Sequence, residues 1–300
     1  MPNPFGMEGN WYKGNLHTHT NNSDGELSPE EVLEGYKKHN YDFLAITDHN
    51  KVTEVEGYCQ KDFLLLPGIE IDVDKSSLET PYHLVGINIK KEIEVPLGPE
   101  ARQQMKVQQG IDFLKEKNGC MVILAHPYWS GLTMEELFSL EGQLGIEIYN
   151  FAALRGVGKG LSSVHWDALL AEGKLSWGFA VDDAHFRHTD AYRGWIIVKA
   201  PALNKESIIS SVRKGFFYSS SGPKIKEVGF DGRRAYIHVS PVKVINFICD
   251  NAQGRSIWEE DGKEFCESEF ELKGEEKYLR IECIDKNGES AWTNPLFLRD

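Results

Sequence analysis

Cysteine is sparse in this 300-residue chain: Cys59, Cys120, Cys249, Cys266 and Cys283 are odd in number, scattered, and nowhere in CxxC spacing. That excludes a disulfide framework and a thiolate zinc site, and leaves them as small apolar fillers. Long apolar runs are missing as well. No stretch is long enough to cross a bilayer, and the opening MPNPFGMEGNWYKGN has no basic start followed by an apolar run, so the expectation is a cytoplasmic protein with no membrane partner. Positive charge is in deficit, with 33 Lys+Arg against 46 Asp+Glu and a net charge of -13, which excludes bulk nucleic-acid binding through electrostatics.

What is present is alternation. From Asn15 to about Ser221 short apolar runs alternate with helical patterns, as in repeated βα units around a parallel sheet or barrel. Ser28-Pro29-Glu30-Glu31 marks the clearest helix start, with an N-cap serine, proline at the first position and a capping-box glutamate. Strands are expected at Phe43 to Thr47, Phe63 to Leu66, Leu84 to Ile89, Met121 to Leu124, Gly145 to Tyr149, Trp177 to Val181 and Trp195 to Val198. Helices are expected near Glu100 to Glu116, Met134 to Leu140, Trp166 to Ala171 and Lys205 to Lys214, with Thr133 and Asn204 as N-caps for two of them. After Ser219-Ser220-Ser221-Gly222-Pro223 the pattern becomes short strands separated by turn pairs. This divides the chain into an α/β region, 1–221, and a small all-β sandwich-like domain, 222–300.

Chemistry gathers where apolar strands give way to loops. His17 and His19 lie at i and i+2 on one strand face, close enough to share an ion. His49 ends Ala45-Ile46-Thr47-Asp48, Glu70 ends Leu66-Pro67-Gly68-Ile69, His126 ends Ile123-Leu124-Ala125, and Asp183 and His185 follow Ala180-Val181-Asp182. In a parallel βα barrel such strand ends meet on one face. His83 departs from the pattern, because it precedes its apolar run Leu84-Val85-Gly86. Burying this many strand-end polar groups unpaired would cost roughly 1–3 kcal/mol each, and a cluster of divalent ions pairs them all. Imidazoles and carboxylates without thiolates suit Zn, Mn or Fe, and a carboxylate such as Glu70 can bridge two ions roughly 3.5–4 Å apart.

These motifs carry a resemblance. His17-Thr18-His19 followed by Asp24, Thr47-Asp48-His49, Pro67-Gly68-Ile69-Glu70, His83 before Leu84, Ala125-His126-Pro127 and Asp183-Ala184-His185 resemble the polymerase and histidinol phosphatase (PHP) superfamily of metallohydrolases over about two thirds of the chain. The resemblance implies a distorted (βα)7 barrel and a two- or three-ion centre. Carried over residue by residue, His17, His19, Glu70 and Asp183 would hold one ion, Glu70, His83 and His126 a second, and Asp24, His49 and His185 a third. Glu70, Asp183 and His185 would form the catalytic core. Asp182 competes with Asp183 for one place, and spacing to His185 favours Asp183. Gly194-Trp195 and Phe217 to Pro223 are similar to a branch that often carries a C-terminal β-domain and includes hydrolases of non-phosphate esters.

The expected function is a metal-dependent hydrolase whose bridging hydroxide attacks a small phosphomonoester or phosphodiester. The alternatives are the same hydroxide directed at a carboxylic ester, amide or carbamate, or a non-catalytic metal-stabilised binding module. For a small anionic substrate, Arg155 and Lys159 in the glycine-rich segment Arg155-Gly156-Val157-Gly158-Lys159-Gly160 are candidate contacts, as are Arg187 and His188. His39, His165 and His238 are read as structural, and Trp258 and Trp292 as sandwich core.

Overall fold

In the computed structural model, residues 3–55, 62–89 and 104–298 are described. The expected role of Cys59 and the start of the helix expected at Glu100 lie outside them.

Among the described residues nine strands wrap the first region: β1 (Asn10–Asn15), β2 (Phe43–Ile46), β3 (Leu64–Lys75), β4 (Pro81–Ile87), β5 (Met121–Leu124), β6 (Gly145–Asn150), β7 (Trp177–Val181), β8 (Trp195–Ala200) and β9 (Phe217–Ser220). Helices α1 (Pro29–Lys38), α2 (Val107–Asp112), α3 (Met134–Phe138), α4 (Phe151–Val157), α5 (Ser163–Ala171) and α6 (Lys205–Arg213) connect them. The helix starts follow local chemistry: Ser28 and Thr133 form full capping boxes with Glu31 and Glu136, and Asn150 and Asn204 accept from Ala153 N and Ser207 N.

Strand direction corrects the expected run of parallel units. β1, β2 and β3 are mutually parallel, as are β5, β6 and β7, but β4 lies antiparallel between β3 and β5 and β8 lies antiparallel to β1. Only Ser76 to Thr80 separate β3 from β4, too few residues for a crossover helix, so the two make a hairpin. The sheet is mixed α/β and does not close. No ladder joins β7 to β1, although a single bridge pairs Thr18 with Ala184 beyond their ends.

β2, β5, β6 and β7 are buried along their whole length, as expected for strands covered on both faces. Alternate side chains enter two cores. Leu16, Phe43, Val85, Ile123, Phe179 and Ile196 fill the inside of the curl, while Leu84, Val122, Leu124, Ile148, Trp166 and Leu169 pack beneath the helices. The inner core is the floor on which the strand-end polar residues stand.

The C-terminal strands are β10 (Ile225–Phe230), β11 (Arg234–Val242), β12 (Val244–Cys249), β13 (Gly254–Trp258), β14 (Phe265–Glu271), β15 (Tyr278–Ile284), β16 (Ser290–Thr293) and β17 (Leu296–Phe297). β10, β11 and β14 form a separate three-stranded sheet; β13, β12, β15 and β16 extend the large sheet through the pairing of β16 with β9. Ile225, Ile237, Val239, Ile245, Phe247 and Ile281 pack between these two layers. The backbone ladder therefore runs across residue 221. Ser219 Oγ donates to Gly178 O (2.7 Å) and accepts from Ala180 N (3.0 Å), and Asn294 links Gly178 to Gly215 and Phe217. Arg280 is buried over the Trp166 ring and grips Asp167 through Nε and Nη2, both at 2.6 Å. Trp292 is buried, but Trp258 is 65 % exposed on the edge strand β13, which corrects its expected place in the core. Cys120, Cys249 and Cys283 are buried, whereas Cys266 is exposed.

Candidate metal centre

His17 and His19 follow β1, His49 follows β2, Glu70 lies within β3, His126 follows β5, and Asp183 and His185 follow β7. The reversed direction of β4 resolves the oddity of His83. Its residue pairing sets Asp72 opposite His83 and Glu70 opposite Val85, so the start of β4 lies at the same end as the ends of the parallel strands. Backbone geometry is unusual at two of these positions: His126 and Asp183 have φ of 28° and 56°, a left-handed region costly for non-glycine residues and found often at functional sites.

Four donor atoms converge on one point. His17 Nε2 and His19 Nε2 stand 3.1 Å apart; Glu70 Oε2 is 3.3 Å from each, and Asp183 Oδ1 is 3.2 and 3.1 Å from them. A tetrahedral ion with bonds of ~2.0–2.1 Å sets its ligand atoms about 3.3 Å apart. The other oxygen of Glu70, Oε1, faces His83 Nδ1 at 3.0 Å and His126 Nε2 at 3.6 Å. A third group collects around Asp24, with Oδ1 3.8 Å from both His49 Nε2 and His19 Nδ1 and Oδ2 3.3 Å from His185 Nε2. Potential ligand atoms fall within 4.8 Å of one another in three sets: His19, Asp24, His49 and His185; His17, His19 and Glu70; and His49, Glu70 and His83.

The fit to metal ions rests on atoms left without partners. His19 Nδ1, Asp24 Oδ1 and both carboxylate oxygens of Glu70 are buried and make no hydrogen bond within the protein. An orphaned buried carboxylate is costly unless a cation meets it. The donor set, imidazole and carboxylate, suits divalent transition metals.

Within the cluster, imidazoles and carboxylates shift each other's protonation. Burial alone would keep the imidazoles neutral, but Asp183 and Glu70 outweigh it, raising His17 well above its ordinary value and His19 to about 9. Burial likewise opposes ionisation of Asp183 and Glu70, yet both are held far below the usual carboxylate range, with His17 the strongest of the opposing imidazoles. A divalent ion must displace the protons on His17 and His19, so affinity rises with pH until the folded imidazoles are deprotonated, near pH 9 for His19. Metal binding at pH 7 is therefore expected to release protons. Calorimetric titration in two buffers of different ionisation enthalpy checks this, and equal heats would contradict it.

A supporting layer orients the ligands. Glu147 Oε1 faces His17 Nδ1 at 2.6 Å, and its Oε2 accepts from His126 N (2.9 Å) and Asn150 Nδ2 (2.8 Å). Asn150 Nδ2 also donates to Asp183 Oδ2 at 3.0 Å. Such outer carboxylates fix imidazole tautomer and raise ligand basicity. Neither residue was singled out from sequence; the signal was a lone charge inside the apolar strand Gly145-Ile146-Glu147-Ile148. Asp48, next to His49, takes hydrogen bonds from Thr20, Ser23 and Thr53 and braces the loop. Asp182 is occupied by Tyr36 Oη and by the backbone N–H groups of Tyr192, Arg193 and Gly194, leaving Asp183 as the carboxylate in the cluster.

Above the cluster lies a cavity of about 270 Å³ lined by Asp24, His49, Glu70, His83, His126, Asp183 and His185 together with Trp129 and four residues of α4. The expected substrate cations divide here. Arg187 reaches the site, donating from Nη2 to Asp24 Oδ2 at 3.1 Å. Arg155 and Lys159 are exposed and outside the cavity lining, as is His188. The segment read as a glycine-rich loop is helix α4 through Val157, ended by Gly158 with φ 73°; Asn150 caps its start, and it is the residues flanking Arg155 that face inward. His39 stacks on Tyr192, His165 Nε2 faces Leu132 O, and His238 lies by Glu267, all away from the cluster.

Residues 15–94 match the model of the PHP domain family. An uncharacterised protein of Methanocaldococcus jannaschii is 27% identical over 154 residues, 46% of this chain and 81% of that protein. The DNA polymerase/3'-5' exonuclease PolX of Bacillus subtilis is 34% identical over 77 residues, 26% of this chain but 14% of the polymerase. Among solved structures, a two-domain protein of Bacteroides vulgatus containing a predicted PHP-like metal-dependent phosphoesterase aligns over 96% of both chains, with a TM-score of 0.50 and 14% identity, a likeness of fold. His126, Asp183 and His185 lie beyond the segment that matches the PHP domain model, yet the fold returns them to the residues within it.

Proposed function

We propose that this chain is a metal-dependent hydrolase of small phosphomonoesters or phosphodiesters, built on a distorted barrel of the (βα)7 type. The observation that carries the reading is Glu70: a buried carboxylate with both oxygens unpartnered, each facing a different set of imidazoles. His17, His19, Glu70 and Asp183 would hold one ion, Glu70, His83 and His126 a second, and Asp24, His49 and His185 a third. When bound, such ions supply Lewis acidity and an activated water at neutral pH. Three divalent charges would outweigh the carboxylates Asp24, Glu70, Asp183 and Glu147, leaving a pocket that favours an anion.

The protein's own residues do the rest. Glu147 and Asn150 hold His17 and Asp183 in place, and Trp129 with α4 forms one side of the cavity above the cluster. Arg187, half exposed at the mouth, spends Nη2 on Asp24 and can offer its other donors to an anionic substrate. A second reading, hydrolysis of a carboxylic ester, amide or carbamate, draws on the absence of any Lys or Arg among the described residues lining the cavity. Among the described residues no helix is long and apolar enough to cross a membrane.

A panel of phosphate and carboxylic esters, assayed with Mn, Fe and Zn in turn, separates the two. Turnover of phosphate esters is expected. On the best of them Arg187→Ala should lower kcat/KM roughly 10-fold, the scale of one charge-assisted contact, while Arg155→Ala leaves it unchanged. Turnover confined to carboxylic esters would overturn the proposal.

A further inference from the structure

The two ends of the cavity differ in chemistry. At one, Asp24 is met by both His185 and the guanidinium of Arg187. At the other, the Trp129 ring lies 4.8 Å from the ring of His126 and 5.9 Å from that of His83. Beside Trp129, α4 turns Ala152, Ala153, Gly156 and Val157 inward. Among the described residues this wall contains no charged or hydrogen-bonding side chain other than the indole. Lys159 is drawn off toward the ring of Tyr128, 5.8 Å away, a residue outside the lining.

Val157 is 61 % exposed although it borders the cavity, so apolar surface stands beside the cluster with none of the described residues covering it. Gly156 adds free space: a Cβ placed on it meets nothing within 4 Å, and its backbone is ordinary helix. We propose that Trp129 and the inner face of α4 form the leaving-group subsite, and that it selects phosphate esters of apolar, ring-sized alcohols. The inference rests on the phosphoesterase reading. In the reaction, the P–O ester bond breaks, phosphorus takes the oxygen of water, and the released alkoxide oxygen takes a proton from that water. The alcohol leaves across the apolar wall, where a sugar or a second phosphate would lose hydration without gaining a partner.

Calorimetry on the metal-loaded protein tests this without turnover, with benzylphosphonate and methylphosphonate as probes of equal charge. Wild type should bind benzylphosphonate roughly 10- to 100-fold more tightly, the range a filled apolar pocket provides. Gly156→Leu, which fills the space and favours helix, and Trp129→Ala, which removes the ring, should each bring the ratio to within about threefold. Arg155→Ala, on the outer face of the same helix, should retain the full ratio. Equal binding of the two probes by wild type, or an unchanged ratio in both Gly156→Leu and Trp129→Ala, overturns the subsite while phosphate-ester turnover keeps the hydrolase reading. Failure to bind either probe, together with no turnover of any phosphate ester, overturns both.

Discussion

Glu70→Ala is expected to yield a folded protein that has lost most of its metal and at least about 10³-fold in turnover, or about 4 kcal/mol of transition-state stabilisation. The size follows from position. Glu70 Oε2 stands 3.3 Å from both His17 and His19 while Oε1 stands 3.0 Å from His83, so a single truncation removes a shared ligand from two groups. Folding should survive, because Glu70 makes no side-chain hydrogen bond that the fold depends on and its backbone remains paired in β3. Metal content by elemental analysis, beside circular dichroism, checks the result. A variant with wild-type metal content and activity would contradict the bridging role.

Ending the chain at Ser221 is expected to abolish cooperative folding. The composition changes at Ser219 to Pro223, which reads as a boundary, but β9 loses its partner β16 if the chain stops there. Trp166, Tyr149 and Tyr218 also lose the cover that Arg280, Trp292 and the sandwich core provide. Uncovering large side chains costs ~1.5–3 kcal/mol each, and three of them approach the ~5–15 kcal/mol by which a whole domain is stable. We propose that the two regions unfold together. A thermal melt of the 1–221 fragment should show no sharp transition, whereas a transition near that of the full chain would establish an independent first domain.

Much of the centre was legible because apolar strands that end in His or Asp break the rule that buried polar groups need partners. That argument located His17, His19, His49, Glu70, His126, Asp183 and His185, all of which the fold brings together. It failed to place His83, since periodicity gives a strand's extent and not its direction, and the hairpin of β3 and β4 is a tertiary fact. Glu147 and Asn150 escaped because a polar residue inside a strand reveals nothing of its partners across the sheet. The glycines at 156 and 158 suggested a loop, but one lies within α4 and the other terminates it, which turned Arg155 away from the cavity. Trp258 reads as core as an aromatic in a small β-sandwich, and only the sheet order shows its strand to be an edge.

The central claim is that the strand-end cluster holds more than one metal ion. The most direct measurement is the metal content of the purified full-length chain by elemental analysis, after equilibration with Mn, Fe or Zn and removal of free ion. At least two equivalents per chain are expected, since three sets of potential ligand atoms share His19, His49 and Glu70 and a single tetrahedral ion needs four donors. One equivalent or none, under all three metals, would contradict it.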